Sequence, residues 1–600
     1  MSRTAWGAIA LAGVLCASTS AAQPAWKPAD RPKIGLVLSG GSAHGLAHVG
    51  VLKVLHELRI PVDFVTGTSM GSIVGGFYAA GMSPSEMEWL LGTIDWEDIL
   101  DDRPSRDRLS FRRKQDEVPS YVDLEMGLTP RGIAFPSGLI AGQKLGFLLK
   151  SLTLGTVGIE KFDDLPIPFR CVATDIVSGE KVVLSGGSLA EAIRASMSIP
   201  GVFSPVPYGA RLLVDGGLVE NLPVEEARDL GADVVIAVDV SSDKFDAERL
   251  KSFGGVLSRM TSLPVVRNVS ESAPRANVVL TPRVGDIPSM GFSRAAEIVA
   301  RGEEEARRLA DVLSALSVPE EEYRAHRERV RGRRADRIVV DEIQTVSVGV
   351  DPRQVRARLE TEPGRPLDVG TLRRDLDRIY EMGVFETVEF RIVRDEGRHV
   401  LVIDARPKSW GPTFLRVGSG FEADFDGDST VALRGTLHAM QLNSRGGEVK
   451  ATLELGTVPG LKVEYFQPLD FRGRTFVSVD ASFVRTLARV SAPDGFAGEG
   501  RITLLQGSVD AGLSLGSWGQ VRAGVFRGTG RGEPLLTNEP IDDLEIDVGG
   551  LFAQASVDTL DDLSFPRRGT LAVAAVEAFR PGLGSAASFN RLSLRGTRAF

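Results

Sequence analysis

Cysteine is nearly absent from this 600-residue chain, which contains only Cys16 and Cys171. The residues before Cys16 lack the leucine and the small residue expected at a lipidation site. Cleavage of an N-terminal leader would leave Cys171 alone, so we expect no intramolecular disulfide. Stability must therefore come from packing.

Long apolar runs are also missing beyond the N-terminus. Residues 1–22 combine Arg3, an apolar run over residues 5–15 and small residues at the end, as in a secretory signal peptide. No later stretch has the roughly 18 uninterrupted apolar residues of a transmembrane helix. We therefore expect an exported protein in which any further membrane span is built from β-strands.

Basic residues are not in excess. The formal net charge is −9 and the isoelectric point is about 5.5, whereas nucleic-acid-binding domains are usually basic. We therefore expect no nucleic-acid partner. An ordinary acidic exported protein would carry the same charge.

The patterning changes along the chain, and 600 residues exceed what one hydrophobic core usually organises. Residues 31–318 alternate short apolar strands with helical periods, which predicts an α/β domain with a mainly parallel sheet. The charged residues 319–336 predict a solvated linker helix. Residues 337–408 have a β-α-α-β-β pattern, which predicts a small α+β domain.

Residues 411–600 show apolar and polar residues in alternation, separated by Gly, Asp and Asn turns. This pattern predicts roughly ten antiparallel strands and a transmembrane β-barrel. A soluble antiparallel sandwich is the alternative. Because the chain stops at Phe600 directly after a strand-like stretch, we expect either a small barrel or a truncated one.

One serine stands in the context of a nucleophile. The sequence Gly67-Thr68-Ser69-Met70-Gly71 follows a predicted strand and precedes a predicted helix, as in a nucleophile elbow. In a chain with 66 glycines the motif alone is weak, and a second copy occurs at residues 512–516. That copy, with Ser514, lies in an alternating strand with no helix after it, so we interpret it as structural.

The base that activates this serine cannot be identified as histidine. Serine hydrolases usually employ one, but none of the six histidines lies between Ser69 and the end of the α/β segment. Asp215, which ends a predicted strand before Gly216 and Gly217, is the candidate carboxylate base. The alternative is a turn aspartate.

A glycine-rich loop, residues 40–45, lies between a predicted strand and a helix N-terminus, where backbone N–H groups attract negative charge. This loop is a candidate oxyanion hole. A nucleotide phosphate loop is the rival, but the Lys-Ser/Thr pair of a P-loop is missing.

These residues together resemble the patatin-like phospholipases, whose motifs are a Gly-rich loop, GxSxG, an ASxSxP-type segment and DGG. All four occur in order: residues 40–45, 67–71, 195–200 and 215–217. The resemblance covers about residues 33–316. It implies a three-layer α/β/α fold and a Ser-Asp dyad that hydrolyses acyl esters of phospholipids or other lipids, with no metal or other cofactor.

The resemblance also assigns roles within the motifs. Ser69 is the expected nucleophile and Asp215 its base, with the oxyanion held by backbone N–H groups of Gly40, Gly41 and Ser42. The residues expected to support the motifs are His44, Gly45, Gly67, Gly71, Gly216 and Gly217. The chain departs from the usual GGGx(R/K)G loop, because Ser42 and His44 replace the third glycine and the cation.

The remaining segments resemble parts of an outer-membrane system. Residues 379–388 resemble the core of a POTRA domain, and residues 565–569 are similar to a short motif of the associated barrels. The combined order resembles patatin-POTRA-barrel proteins assigned to type V secretion. It implies an outer-membrane location with the catalytic domain periplasmic or at the cell surface, and is compatible with a homodimer, for which the chain has no heptad or other association signal.

Two functions follow from this sequence. The first is a lipolytic acyl hydrolase attached to an outer-membrane barrel, with a phospholipid or other acyl ester as substrate. The second is an outer-membrane translocation or assembly protein whose α/β domain is a passenger or binding module.

Overall fold

The structure is a computed structural model that describes residues 31–118, 125–241, 250–331, 338–423, 429–492, 495–537 and 543–600. The predicted signal peptide and the last part of the predicted linker, residues 332–336, lie outside these ranges. Within them, no helix combines the length and apolar character needed to cross a membrane.

The N-terminal part is an α/β domain. Its strands β1–β10 are Ile34–Leu38, Phe64–Thr68, Met126–Thr129, Gly132–Ala134, Phe169–Asp175, Lys181–Leu184, Val206–Tyr208, Arg211–Asp215, Val234–Val238 and Val278–Leu280. Helices α1–α12 are Ala47–Glu57, Met70–Ala79, Pro84–Thr93, Trp96–Ile99, Phe111–Lys114, Gln143–Leu152, Leu189–Ser196, Val224–Asp229, Phe253–Ser272, Ala295–Arg308, Ala310–Leu313 and Glu320–Val330. The last of these begins where the linker helix was predicted.

The sheet of this domain is mostly parallel, in the order β10-β9-β1-β2-β5-β8-β7. The first five of these strands are parallel, while β8 pairs antiparallel with β5, and β7 with β8. Strand β6 also pairs antiparallel with β5. The predicted mainly parallel sheet is therefore present, with an antiparallel edge that the sequence pattern did not indicate.

Helices cover both faces of the sheet, because successive residues of a strand point to opposite sides. Leu36 of β1 belongs to a core that includes residues of α1, α2 and α10, while its neighbour Val37 belongs to a second core with residues of α8 and α9. The domain is therefore a three-layer α/β/α sandwich, and the carboxyl ends of β1, β2 and β8 carry the loops discussed below.

The middle part has the predicted β-α-α-β-β order plus a short ladder. Its strands β11–β15 are Val339–Val340, Glu342–Ser347, Arg365–Pro366, Phe385–Asp395 and Arg398–Pro407, and helices α13 and α14 are Pro352–Arg356 and Val369–Tyr380. Strands β12 and β15 are parallel and β14 and β15 antiparallel, while β11 pairs with β13. Apolar residues of α14, such as Leu372 and Leu376, pack with Phe385 of β14 in one core.

The C-terminal part is an antiparallel meander. Its ten strands among the described residues, β16–β25, are Thr413–Ala423, Ser429–Ala439, Glu448–Gly456, Gly460–Pro468, Thr475–Ala492, Gly495–Ser514, Gly519–Thr537, Leu544–Asp558, Gly569–Phe579 and Phe589–Ala599. The hairpin β3–β4 leaves the α/β domain and pairs with β16, which makes a sheet of twelve strands. Within the described ranges β25 pairs only with β24, so β25 and β4 are the two edges.

The two faces of this sheet differ in polarity. Along β19, Leu461, Val463 and Tyr465 are exposed, whereas Glu464 between them is buried. Other strands repeat the pattern, with exposed Leu505 and Val509 beside buried Asp510 on β21. The sheet therefore has an exposed apolar face and a sheltered polar face.

A segment of the α/β domain lies against the polar face. Arg106 forms a bidentate ion pair with Asp558 at 2.6 Å, and Arg112 contacts Glu464 at 2.9 Å. Phe111 N–H also donates to the carbonyl of Gly516 at 3.0 Å. The α/β domain and the C-terminal sheet are thus joined by specific polar contacts.

Candidate active site

The candidate nucleophile, Ser69, lies in the sharp turn between β2 and α2. Its backbone has φ 54° and ψ −122°, a conformation that non-glycine residues rarely adopt. A Cβ on Gly67 would clash with the carbonyl of Gly71, and one on Gly71 would clash with the carbonyl of Leu38. Glycine at these positions therefore permits the strand, turn and helix to pack closely, as a nucleophile elbow requires.

Asp215 lies within hydrogen-bond reach of this serine. Ser69 Oγ donates to Asp215 Oδ2 at 2.7 Å, and the backbone N–H of Gly217 donates to Oδ1 at 2.8 Å. Asp215 ends β8, and the following Gly216 has no room for a Cβ because the carbonyl of Val172 on β5 is adjacent. The structure thus brings the two predicted residues together from positions 146 residues apart.

The dyad is sheltered from water, with Ser69 6% and Asp215 8% exposed. Burial raises the pKa of Asp215 from 3.8 to about 6, although hydrogen bonds from Ser69 and Gly217 oppose the rise. A carboxylate with this pKa is a stronger base than a solvated one and is still ionised at neutral pH. The environment therefore suits proton acceptance from the serine.

Two serines of the predicted ASxSxP segment brace the dyad. Ser196 Oγ accepts from the backbone N–H of Ser69 at 3.0 Å and donates to the carbonyl of Val172 at 2.6 Å. The carbonyl of Ser198 accepts from the backbone N–H of Asp215 at 2.8 Å. The sequence identified this segment only as a motif, and the structure shows that it contacts both members of the dyad.

The glycine-rich loop passes directly beside the nucleophile. A Cβ on Gly40 would lie 2.9 Å from Ser69 Cβ and 2.5 Å from Asn221 Oδ1, so only glycine fits there. The Gly40 N–H donates to the carbonyl of Asn221 at 3.4 Å. Within the described ranges, no acceptor is found for the N–H groups of Gly41 and Ser42, which leaves these two donors available to a ligand.

Asn221 is a site residue that the sequence reasoning missed. It is 2% exposed, its Nδ2 donates to the Gly40 carbonyl at 3.2 Å, and its N–H donates to Asn268 Oδ1 at 3.0 Å. Asn268 in turn donates to the carbonyl of Gly217 at 2.8 Å. The pair of asparagines therefore ties the glycine-rich loop to the DGG turn, and no local sequence signal marks either of them.

The histidines near the loop have other partners. His44 is buried with Nε2 2.7 Å from the carbonyl of Ile287, and the neighbouring Ala43 N–H donates to Ser289 at 2.9 Å. His48 Nε2 lies 2.8 Å from the carbonyl of Ser39, and burial lowers the pKa of His48 to about 4. In the described chain no histidine is hydrogen-bonded to Ser69 or Asp215, and no group of three or more His, Cys, Asp or Glu side chains is placed to hold a metal.

Residues 36–228 match the family model Patatin-like phospholipase. The match spans the glycine-rich loop, Ser69 and Asp215. The matched residues thus all lie in the α/β part of the chain.

Curated relatives also match a part of the chain. A patatin-like phospholipase domain-containing protein of Caenorhabditis elegans is 36% identical over 250 residues, which is 40% of this chain and 16% of that protein. An uncharacterized NTE family protein of Mycobacterium bovis is 31% identical over 213 residues, 36% of this chain and 50% of that protein. The chain therefore spans half or less of these relatives.

Among solved structures, the chain is similar to BamA from Haemophilus ducreyi, with a TM-score of 0.34 and 13% identity over 44% of this chain and 52% of that one. It is also similar to VipD from Legionella pneumophila, with a TM-score of 0.28 and 17% identity over 47% of this chain and 67% of that one. TM-scores of this size do not establish a shared fold.

Proposed function

We propose that this chain is a lipolytic acyl hydrolase of the phospholipase A type that acts through a Ser69–Asp215 dyad. The observation that carries the proposal is the 2.7 Å hydrogen bond from Ser69 Oγ to Asp215 Oδ2 in a water-sheltered elbow. The match of the surrounding residues to the patatin-like phospholipase model supports a lipid ester as the substrate class.

The proposed reaction has two halves. Ser69 Oγ attacks the ester carbonyl while its proton passes to Asp215 Oδ2, which then returns the proton to the departing alcohol. Water, deprotonated by the same carboxylate, releases the fatty acid and restores Ser69. The N–H groups of Gly41 and Ser42 hold the oxyanion. The N–H group of Gly40 also donates to the oxyanion once its hydrogen bond to the carbonyl of Asn221 is broken.

The experiment uses the full chain in mixed phospholipid micelles and measures fatty acid release. We expect Ser69→Ala and Asp215→Asn to lose at least about a thousandfold of the activity, since dyad members act as a unit, and chelator to have no effect. Ser514→Ala is the matched control, because Ser514 ends β21 in a second Gly-x-Ser-x-Gly copy. Parent-like activity in Ser69→Ala would refute the assignment.

We further propose that the C-terminal sheet resides in the outer membrane and that residues 337–408 are a POTRA-like domain. The exposed apolar face and sheltered polar face of the sheet support a lipid-facing exterior. The β-α-α-β-β order, with α13 and α14 packed on a three-stranded sheet, supports the second assignment. Flotation of the full chain with lipid vesicles, retained after alkaline carbonate washing, would test the membrane location.

The rival function, translocation or assembly, is supported by the ion pairs between the α/β domain and the C-terminal sheet. Residues of the α/β domain, including Arg106 and Arg112, lie on the polar face of the sheet, where a passenger would be held. Fatty acid release distinguishes the two, because a passenger or binding module would show no hydrolysis that depends on Ser69.

A further inference from the structure

A cavity lies outside the candidate active site, between the middle part of the chain and the turns of the C-terminal sheet. It has a volume of about 700 Å³ and is enclosed by residues of α13 and α14, by the segment before α5, and by three tight turns of the C-terminal sheet. Those turns carry Gly446, Gly473 and Gly516, each with a positive φ. None of the residues that line the cavity belongs to the dyad, the glycine-rich loop or their supports.

The lining is strongly basic, with eight arginines against three glutamates. Four of the arginines contact carboxylates: Arg108, Arg112, Arg113 and Arg378. Within the described residues, the other four have no carboxylate within ion-pair distance: Arg358, Arg445, Arg472 and Arg474. An arginine group of this kind favours an anionic ligand.

The glutamates do not neutralise this charge. Glu448 contacts Arg112 and Arg113, and Glu360 contacts Arg378 at 2.5 Å. Burial raises the pKa of Glu381 to about 7, although Arg358 and the Ser110 N–H lower it, and even three ionised glutamates do not balance eight arginines. The cavity therefore keeps an excess of positive charge.

Among the four arginines without a carboxylate partner in the described residues, Arg358 is held by backbone contacts. Its Nη1 donates to two backbone carbonyls, Gln354 at 2.8 Å and Phe471 at 2.9 Å, which fixes the guanidinium between α13 and the β19–β20 turn. Burial lowers the pKa of Arg358 to about 10, although the nearby carboxylates of Glu381 and Asp470 raise it. Nearby, Arg378 has a buried Nε–H with no acceptor among the described residues. The Arg378 Nε–H is therefore a donor available to an anion.

Part of the remaining wall is apolar and lies at one end of the sheet, beside the polar side chains of Gln354, Gln441 and Gln520. Phe466, Phe476, Leu513 and Leu515 line the cavity, and Trp518, 49% exposed, lies at its border. Leu513 is exposed and continues the apolar outer face of β21, whereas Phe466 and Phe476 are buried and share the sheltered face with Glu464 and Ser478. Tryptophan and arginine beside an apolar band are typical of the level at which lipid headgroups lie.

We propose that this cavity binds the phosphate group of an anionic phospholipid, with Arg358, Arg472 and Arg474 on the phosphate and the acyl chains along Leu513, Leu515 and Trp518 towards the exposed apolar face of the sheet. The volume is in the range of small-molecule sites and far exceeds a free phosphate ion. The site is separate from the proposed dyad, and its existence does not depend on the hydrolase assignment.

The experiment uses the full chain carrying Ser69→Ala, so that the lipid probe survives, in a non-ionic detergent. Native mass spectrometry compares retention of phosphatidylglycerol and phosphatidylcholine at equal concentrations, with inorganic phosphate added as a competitor in a separate arm. The tested variants are Arg358→Gln and the double variant Arg472→Gln/Arg474→Gln, whose residues lie on exposed turns. The matched control is Arg356→Gln, an exposed arginine of α13 outside the cavity.

We expect phosphatidylglycerol to bind at least about tenfold more tightly than phosphatidylcholine, and both cavity variants to lose about tenfold or more of this affinity while Arg356→Gln retains it. Unchanged phosphatidylglycerol binding in the double variant would overturn the proposal, even if Arg358→Gln fails to fold. Inorganic phosphate that displaces the lipid at comparable concentration would overturn the lipid assignment in favour of a free-phosphate site.

Discussion

The pH dependence of hydrolysis provides a quantitative test of Asp215 as the base. Burial raises the pKa of its carboxyl from 3.8 to about 6, and two pH units correspond to about 3 kcal/mol of destabilisation of the charged form. Only the ionised carboxylate accepts the serine proton. We therefore expect kcat/KM to rise about tenfold per pH unit below pH 6 and to level off above it.

The assay is fatty acid release by the full chain between pH 4.5 and 8.5, with circular dichroism at each pH to confirm that the protein stays folded. A profile that titrates near pH 4 would show that the carboxyl is solvated, contrary to the structure. A profile governed by a group above pH 7 would assign the base to another residue. Either result would refute the reasoning.

The raised pKa of Asp215 also predicts how the stability of the Asp215→Asn variant differs from that of the parent. The folded pKa lies above the unfolded one, so the protonated carboxyl favours folding below about pH 4, and this contribution is lost as the pH rises through about 6. The asparagine variant does not titrate. We therefore expect it to be inactive yet more stable than the parent at pH 8 by about 3 kcal/mol, with the difference vanishing near pH 4, as measured by urea unfolding followed in the α/β domain.

Three further changes test the surrounding architecture. Gly40→Ala places a methyl group against Ser69 and Asn221, and we expect activity to fall at least about a hundredfold while secondary structure measured by circular dichroism is retained. Ser196→Ala removes the acceptor for the Ser69 N–H and the donor to Val172; we expect a loss of about 1–2 kcal/mol in unfolding free energy and a smaller loss of kcat. Arg106→Ala leaves buried Asp558 without its bidentate partner. We therefore expect faster proteolysis between the α/β domain and the sheet. Arg567→Ala, which changes an exposed arginine, is the control and should leave the rate of proteolysis unchanged.

The sequence predicted the parts of the site that depend on local chemistry. The turn at Ser69 requires glycine at fixed positions on either side, and the turn after Asp215 requires Gly216, so both leave a readable spacing. The absence of histidine between Ser69 and the end of the domain left a carboxylate as the candidate base. These constraints act within a few residues and are visible without a fold.

The features that the sequence did not reveal depend on contacts between distant residues. Asn221 reaches the Gly40 carbonyl across 181 residues, and Ser196 reaches the Ser69 N–H across 127. The hairpin β3–β4 pairs with β16 of the C-terminal sheet rather than with its own domain. Such pairings follow from tertiary packing, which local periodicity does not record.

The most direct test of the account is to label the full chain with a fluorophosphonate and to locate the adduct by peptide mass spectrometry. We expect a single modified serine, Ser69, and no modification of Ser514. The rate of labelling should fall at least about a hundredfold in Asp215→Asn. A folded parent protein that leaves Ser69 unmodified, or one labelled equally fast without the Asp215 carboxylate, would contradict the Ser69–Asp215 dyad.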